Sequence, residues 1–160
     1  MLPAAEAPEL WLAGADQGAG KRLRQLAAEL SITALVQHLG PVDEATLAAL
    51  YQHARAVVVP SIYEGFGMPA LEGLAHGLPV LAADATALPE VLGSHGTLLP
   101  AQQPEPWAAA IQNVMAATPE ADDALAIARS NYARTNFSWH RAAQQYVELW
   151  RDLSQHHHRE

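Results

Sequence analysis

The sequence predicts an α/β fold in which a Rossmann-like parallel sheet carries helices on both faces. Short, continuous apolar segments alternate with amphipathic segments as far as Pro100, and strands buried inside a parallel sheet have this apolar character. Beyond Pro100 the apolar residues recur only at helical spacing, which predicts a helical C-terminal tail. We expect a single domain over residues 1–155, followed by a polar tail over residues 156–160.

The predicted strands are apolar segments that stop at or near glycine or proline. Residues 9–14 are predicted to form a strand buried on both faces, and residues 32–40 form the second candidate. Residues 56–60 combine β-branched valines with a closing proline, which is typical of a strand that stops there. The last two strands are predicted over residues 79–83 and 97–100.

Helices are predicted where apolar residues recur every three or four positions. Leu23, Leu26, Ala27 and Leu30 mark the first helix, and Asp43 is a candidate N-cap for the second. Further helices are expected after Met68, over residues 89–92, around Trp107 and from Trp139 onward.

The composition restricts the classes of function. The chain has 160 residues, a formal net charge of -8 and one lysine, Lys21. Such an acidic domain repels a nucleic-acid backbone, so no nucleic-acid partner is expected. No apolar run approaches the roughly 20 residues that span a bilayer, and no basic amphipathic helix predicts membrane contact. Without cysteines, thiol catalysis and thiolate zinc sites are excluded, and the expected location is the cytoplasm.

Residues 64–72, EGFGMPALE, carry the strongest functional signal. They follow the strand predicted over residues 56–60, and ligands of open parallel sheets bind outside the carboxyl ends of the strands. Gly65 and Gly67 allow a sharp turn and a close approach of a ligand to the backbone. This stretch is therefore predicted to border a ligand site.

The end of this stretch predicts a phosphate-binding helix N-terminus. Pro69 suits the first helical position, where its missing N–H costs nothing. The amides near Met68, Ala70 and Leu71 are then expected to be unpaired donors. A helix N-terminus carries partial positive charge, so it binds phosphate without basic side chains.

The two glutamates that bracket the turn suggest sugar recognition. An ionised carboxylate only accepts hydrogen bonds, so it pairs well with the two donors of vicinal hydroxyls. Glu64 lies on the turn, and Glu72 is expected in the first turn of the helix. Each could hold one sugar on either side of a diphosphate. Taken alone, the motif is also compatible with acidic residues that only stabilise a helix N-terminus.

The segment EGFGMPALEGLAHGLPV resembles the Glu-x7-Glu signature of retaining glycosyltransferases with the GT-B fold, in glycosyltransferase group 1, family 4. The similarity extends over nearly the whole chain. Residues 9–30 and 36–61 look like the segments before the signature, residues 87–100 like the segment after it, and residues 137–153 like the closing helix. Thr86 and Ala87 stand where many relatives have a Gly-Gly pair.

The resemblance implies a role for each residue of the motif. Glu64 is assigned to the catalytic site, where it contacts hydroxyls of the transferred sugar and orients them rather than transferring a proton. Glu72 would hold the ribose, and the loop Gly40-Pro41-Val42 would lie against the base. The residues assigned to the donor sugar and the phosphates are Gly65, Phe66, Gly67, Met68 and Ala70.

The resemblance also implies the reaction and its participants. Members transfer a sugar from a nucleoside-diphosphate sugar to a glycan or lipid-linked acceptor with retention of configuration, and no metal or other cofactor is expected. The acceptor site, an N-terminal Rossmann domain and the first strand of the donor domain with its Arg and Lys are expected to lie outside this chain. The chain alone is therefore expected to be inactive, and the rest of the protein could bring it to the inner face of the membrane.

The sequence is also compatible with a second function. A non-catalytic module that binds a nucleotide or a nucleotide sugar is the alternative function. Residues 14–22, GADQGAGKR, fail the Walker phosphate-loop pattern at Ala15 and Arg22 and are interpreted as a strand-to-helix loop.

Two further sequence features receive structural rather than functional interpretations. The histidines at residues 156–158 are interpreted as part of a polar tail rather than a metal site. Trp107, Trp139 and Trp150 fall on helical stripes, so they are predicted to lie in the core.

Overall fold

The computed structural model describes residues 7–157 of the chain. Contacts divide the chain into two compact units, Met1–His53 and Ala54–Glu160. In both units the described strands are parallel and are joined by helices. The prediction of a single domain over residues 1–155 stays a prediction.

The first unit is a parallel strand pair with accompanying helices. Its described elements are β1 (Leu10–Ala13), α1 (Gly20–Glu29), a 3-10 turn (Thr33–Leu35), β2 (Val36–Gly40) and α2 (Glu44–His53). The 3-10 turn shortens the strand that was predicted from residue 32. Asp43 caps α2 as predicted, because its carboxylate accepts the Thr46 amide N–H at 2.8 Å.

Strand β1 is not buried on both faces, and this prediction was wrong. Leu10 and Trp11 remain 46% and 52% exposed, and Leu23 and Leu26 of the α1 stripe are also exposed. Over residues 7–157, β1 pairs with β2 alone. A continuous apolar segment therefore predicts a strand that can be buried, but the pairing of β1 with β2 leaves Leu10 and Trp11 exposed.

The second unit contains a three-stranded parallel sheet in the order β3-β4-β5. Val57 lies opposite Val80, and Ala83 lies opposite Leu99. The elements are β3 (Val57–Val59), α3 (Met68–Ala75), β4 (Val80–Ala83), α4 (Leu88–Leu92), β5 (Thr97–Leu99), α5 (Pro104–Ala116), α6 (Pro119–Asn136) and α7 (Trp139–His157). Every strand and helix predicted for this part is present, and α6 is an addition.

The core of the second unit surrounds its central strand. All four residues of β4 are buried, and the fully buried Leu74 of α3 and Leu88 of α4 pack in the same cluster. Trp107 belongs to this core as predicted, and its indole N–H donates to the Pro100 carbonyl at 2.8 Å. The loops that follow β3 and β4 are thus anchored in a well-packed sheet.

Helix α7 forms as predicted, but its tryptophans do not lie in the core. Trp139 is 92% exposed and Trp150 is 65% exposed, so this prediction was wrong for both residues. Helical spacing fixes which residues share a face, whereas burial requires a partner surface. Helix α7 reaches His157, and residues 158–160 of the predicted tail lie outside the described residues.

Candidate functional site

The glutamate motif occupies the loop after β3 and the beginning of α3, at the carboxyl end of the strand. Glu64 is half-buried, Gly65 and Phe66 are exposed, and Gly67 is buried against neighbouring elements. Parallel α/β proteins bind ligands at this edge of the sheet. The loop therefore lies where the sequence predicted a ligand site.

The two glycines of the turn differ in how strictly the backbone requires glycine. Gly67 has a φ of 92°, in the left-handed region that favours glycine, and an added Cβ would lie 2.8 Å from a methyl carbon of Leu88. Gly65 lies at a bend, but it has no left-handed φ, and an added Cβ would meet no atom within 4 Å. The backbone therefore requires glycine at position 67 and not at position 65.

The N-terminus of α3 offers fewer free amides than the sequence predicted. Because α3 begins at Met68, Pro69 occupies its second position, one residue later than predicted. The amides of Ala70 and Leu71 both donate to the Gly67 carbonyl, at 3.0 and 3.2 Å, so the prediction that they are unpaired was wrong. The amides of Gly67 and Met68 have no acceptor among the described residues. Both donors are therefore open to an anion.

Glu64 and Glu72 flank the open amides on the two sides along the chain. Glu64 lies on the turn, whereas Glu72 lies beyond the first turn of α3, which contains no acidic residue, so its predicted position was wrong. Both residues are half-buried, so neither is sealed in the interior. Partial exposure of both residues is compatible with a ligand contact to their carboxylates, which accept hydrogen bonds.

Neighbouring elements hold the turn at its start and in its middle. The Glu64 amide donates to Oγ1 of Thr86, in the loop between β4 and α4, at 3.0 Å. The ring of Phe66 meets that of Phe137 edge to face, with 5.9 Å between the centroids. Sequence reasoning missed Phe137 and treated Thr86 only as a departure from a Gly-Gly pair. Such a pair is a signal for left-handed backbone, and Thr86 indeed has a φ of 48°.

The C-terminal end of α3 is closed by its own backbone. The Gly77 amide donates to the Leu74 carbonyl at 2.8 Å, and Gly77 has a φ of 78°. The Leu78 amide donates to the Gly73 carbonyl at 3.0 Å. This pair of bonds is the Schellman arrangement, which ends a helix at a glycine.

Helix α6 completes this closure with side chains. The Ser130 hydroxyl donates to the Ala75 carbonyl at 2.9 Å, and Nη1 of Arg129 donates to the Gly77 carbonyl at 2.8 Å. Asp122 pairs with Arg129 at 2.7 Å, and the hydrogen bond from Arg129 lowers the pKa of Asp122 below its usual value of 3.8. A cation at a helix C-terminus also complements the helix dipole.

The residues predicted to contact the base lie in the first unit. Gly40 has a φ of 69° and its carbonyl accepts the Gly14 amide at 2.8 Å. Pro41 is exposed and Val42 is half-buried, immediately before the Asp43 cap of α2. The predicted loop is thus a defined turn between β2 and α2.

In the loop between β1 and α1, the amides of Gly18 and Gly20 are already occupied by a side chain of the loop itself. Oδ1 of Asp16 accepts the amides of Gly18 and Gly20, both at 2.9 Å. These bonds, from Gly20 and then Gly18, lower the pKa of Asp16. A carboxylate of the chain itself therefore occupies these donors, which supports the interpretation of residues 14–22 as a strand-to-helix loop.

Among the side chains that the structure describes, no three His, Cys, Asp or Glu residues come together in a group that could hold a metal ion. No described helix has both the length and the apolarity to cross a membrane. A surface depression of about 430 Å³ is lined by Ala143, Tyr146, Val147 and Trp150 of α7. It shares no residue with the glutamate turn.

Known proteins share both the sequence and the fold of this chain. The model of the family Glycosyl transferases group 1 matches residues 2–117. The D-inositol 3-phosphate glycosyltransferase of Corynebacterium urealyticum is 36% identical over 151 residues, which cover 89% of this chain and 34% of that protein. The chain thus spans about a third of the length of this curated relative.

Solved structures of similar fold include two at 25% identity or more. Sucrose-phosphate synthase from Thermosynechococcus elongatus has a TM-score of 0.77 at 33% identity, covering 91% of this chain and 38% of that one. The Anabaena protein HepE in complex with UDP has a TM-score of 0.79 at 25% identity, covering 91% and 41%. These similarities confirm the predicted fold class of parallel strands flanked by helices, with a helical tail.

Proposed function

Because the chain belongs to the group 1 family of glycosyltransferases, we propose that it is the donor-binding portion of a retaining glycosyltransferase. The parent protein would transfer a sugar from a nucleoside-diphosphate sugar to a glycan or lipid-linked acceptor. The observation that carries this proposal is the pair of open amides at Gly67 and Met68, flanked by the half-buried Glu64 and Glu72. UDP in the similar HepE structure supports a nucleotide donor.

The proposed diphosphate contact is the N-terminus of α3. The Gly67 and Met68 amides are donors, and the helix adds partial positive charge at this end. Phe66 and Gly65 contribute backbone, with open space beside Gly65. Ala70 is kept among the residues proposed to border the phosphates because it lies in the first turn of α3, although its amide already donates to the Gly67 carbonyl. An acidic chain can thereby hold a diphosphate without a basic side chain in this loop.

The two glutamates are proposed to bind the two sugars of the donor. Glu64 would accept hydrogen bonds from hydroxyls of the transferred sugar, and Glu72 from the ribose hydroxyls. The loop Gly40-Pro41-Val42 is proposed to contact the base. No metal or cofactor is assigned, because the amides and the helix N-terminus supply the electrostatic stabilisation of the leaving diphosphate.

Glu64 is proposed to orient the sugar rather than to transfer a proton. Hydrolases that cleave glycosidic bonds use two carboxylates on opposite sides of one bond. Here the open amides of Gly67 and Met68 lie between the two glutamates along the chain. That order suits binding of a sugar, a diphosphate and a ribose in succession.

The acceptor site and the remaining catalytic groups are proposed to lie in the other part of the protein. The chain covers 34% of the D-inositol 3-phosphate glycosyltransferase and 38% of the sucrose-phosphate synthase chain. A second Rossmann domain carrying the acceptor is the proposed partner of this chain. We place the parent protein in the cytoplasm, where nucleotide sugars are the donors.

The test of this proposal is a titration of nucleotides and nucleotide sugars followed by NMR chemical shifts. UDP with UDP-glucose and GDP with GDP-mannose form two matched pairs. Glu72→Ala should weaken nucleotide and nucleotide sugar alike, by about tenfold for a hydrogen bond to a charged group. Glu64→Ala should weaken only the nucleotide sugar.

The matched control is Glu148→Ala, which removes an exposed carboxylate on α7. It should bind both ligands of a pair like the unmodified chain. Equal losses for nucleotide and nucleotide sugar in Glu64→Ala would contradict the assignment of Glu64. Absence of shift changes near residues 64–72 with all four ligands would overturn the donor site itself.

A further inference from the structure

Thr86 lies beside the turn that carries Glu64, although it belongs to the next loop of the sheet. It follows β4 and precedes α4. Its Oγ1 accepts the backbone amide of Glu64 at 3.0 Å. The bond therefore links the backbone of Glu64, in the loop after β3, to the loop between β4 and α4.

The conformation of Thr86 is unfavourable for its residue type. Its φ of 48° lies in the left-handed region, which glycine adopts easily and a β-branched residue rarely does. Thr86 is exposed, and its bond to Glu64 is in contact with solvent. Because water competes for such a bond, the bond contributes little to folding. Stability of the fold thus gives no reason for a threonine at this position.

The loop that carries Thr86 is anchored on both sides. Before it, the Asp84 amide donates to the Leu99 carbonyl of β5 at 2.8 Å. After it, Leu88 is fully buried and lies against Gly67, the N-cap of α3. The Leu88 amide also donates to the Ala85 carbonyl at 3.2 Å. The contacts of Asp84 and Leu88 therefore fix both ends of the short segment that carries Thr86.

We propose that Thr86 is a positioning residue for Glu64: its hydroxyl oxygen holds the Glu64 backbone so that the carboxylate meets the hydroxyls of the transferred sugar. This inference rests on the proposed function of Glu64. A small displacement of a group that orients a substrate is enough to weaken its contact strongly. Thr86 thereby affects recognition of the sugar and leaves binding of the nucleotide unchanged.

The experiment compares Thr86→Val, which keeps the branched shape and loses the hydroxyl, with Thr86→Ser, which keeps the hydroxyl. The measured quantity is the ratio of the affinities for UDP-glucose and UDP, or for GDP-mannose and GDP, whichever pair binds. In Thr86→Val the ratio should fall about three- to tenfold, as expected for loss of one hydrogen bond. Thr86→Ser should restore the ratio of the unmodified chain.

The hydrogen bond between the Glu64 amide and Thr86 can also be tested without a ligand. Hydrogen exchange at the Glu64 amide, followed by NMR, should be faster in Thr86→Val than in the unmodified chain and in Thr86→Ser. Thr86→Gly is the second variant without a hydroxyl; it removes the left-handed strain and should show the same lowered ratio even if Thr86→Val fails to fold.

The results separate this inference from the proposed function. An unchanged affinity ratio in the variants without a hydroxyl, or an equal loss for nucleotide and nucleotide sugar, would overturn the role of Thr86. If the unmodified chain binds none of the four ligands, the proposed function fails and the inference falls with it. The exchange of the Glu64 amide still shows in that case whether the hydrogen bond exists.

Discussion

At its C-terminal end α3 is closed by hydrogen bonds, whereas at its N-terminal end two amides have no acceptor among the described residues. The last carbonyls of the helix accept bonds from its own following turn and, at Ala75, from Ser130 of α6. The first amides face a turn that offers no side-chain cap. Both ends belong to one eight-residue helix.

This difference shows how stability and binding are divided within one short helix. An unpaired amide at a helix end is satisfied by a cap, by water or by a ligand. At the C-terminal end the chain supplies every partner, and at the N-terminal end two amides have no partner among the described residues. Substitutions at the C-terminal end of α3 should therefore lower the stability of the fold. At the N-terminal end, substitution of a residue that builds the turn should lower stability, and substitution of a residue that borders the proposed ligand should lower the affinity for it.

The largest effect is expected from Gly67→Ala. The new side chain would adopt a left-handed φ and collide with Leu88, which is fully buried. Together the strain and the overpacking should lower the free energy of unfolding by about 2–4 kcal/mol. Urea unfolding followed by circular dichroism measures this change. A loss below about 0.5 kcal/mol would mean that the turn can rearrange.

Arg129→Met should produce the next largest effect, at the closed end. The substitution keeps an unbranched apolar stem but removes the bonds to the Gly77 carbonyl and to Asp122. Because Arg129 is only 11% exposed, water replaces these bonds poorly, and a loss of about 1–3 kcal/mol is expected in urea unfolding. The matched control is Arg151→Met on exposed α7, which should leave stability unchanged. Equal stability of both variants would show that α6 does not support α3.

Asp122→Asn should give a smaller, pH-dependent effect at the same end. The bond from Arg129 lowers the pKa of Asp122 in the folded state below 3.8, so the ion pair stabilises the fold at higher pH. The free energy of unfolding of the unmodified chain should therefore be about 1 kcal/mol higher than that of the variant at neutral pH. This advantage should vanish as the pH falls from the usual Asp value through the lower folded pKa. Urea midpoints measured between neutral and acidic pH test this, and a pH-independent difference would contradict it.

Gly65→Ala should have the smallest effect on stability. Its φ is not left-handed and an added Cβ meets no atom within 4 Å, so the unfolding free energy should change by less than about 0.5 kcal/mol. If the donor approaches the backbone here, the affinity for the nucleotide sugar should nevertheless fall in the NMR titration. An unchanged affinity would remove Gly65 from the proposed site.

The strands and helices of the second unit could be predicted because local pattern and tertiary packing agree there. In β3 three successive valines are strong β-formers and Val59 is buried, all four residues of β4 are buried, and Pro60 and Pro79 mark the end of β3 and the start of β4. In the first unit the same kind of pattern gave the strand β1 correctly and its burial incorrectly. Pattern encodes the local conformation, whereas burial depends on what pairs with the strand.

Helix α6 could not be predicted because the residues through which it contacts the rest of the unit do not form a stripe of large apolar residues. Ser130 and Arg129 bond to carbonyls, Ala133 is buried in the core cluster, and Tyr132 packs against that cluster and stacks on His95. Its larger apolar residues, Leu125 and Ile127, are exposed. A search for a stripe of large apolar residues therefore passes over this helix.

The candidate site was predictable in its location and in the need for Gly67, but not in its supports. The spacing of glycine and proline fixes a turn and a helix start. The amides that remain without an acceptor could not be predicted, because the amides of Ala70 and Leu71 both donate to the Gly67 carbonyl in the folded chain. The bond from Glu64 to Thr86 joins residues 22 positions apart, so no local pattern could indicate it.

The dependence of α3 on α6 matters for where this family is considered to end. The matched family region covers residues 2–117 and stops before α6, which begins at Pro119. A polypeptide trimmed to that boundary would retain both glutamates and the whole turn while discarding Arg129, Ser130 and Phe137. The contacts that support the turn and the C-terminal end of α3 therefore extend beyond the matched region, to Arg129 and Ser130 of α6 and to Phe137.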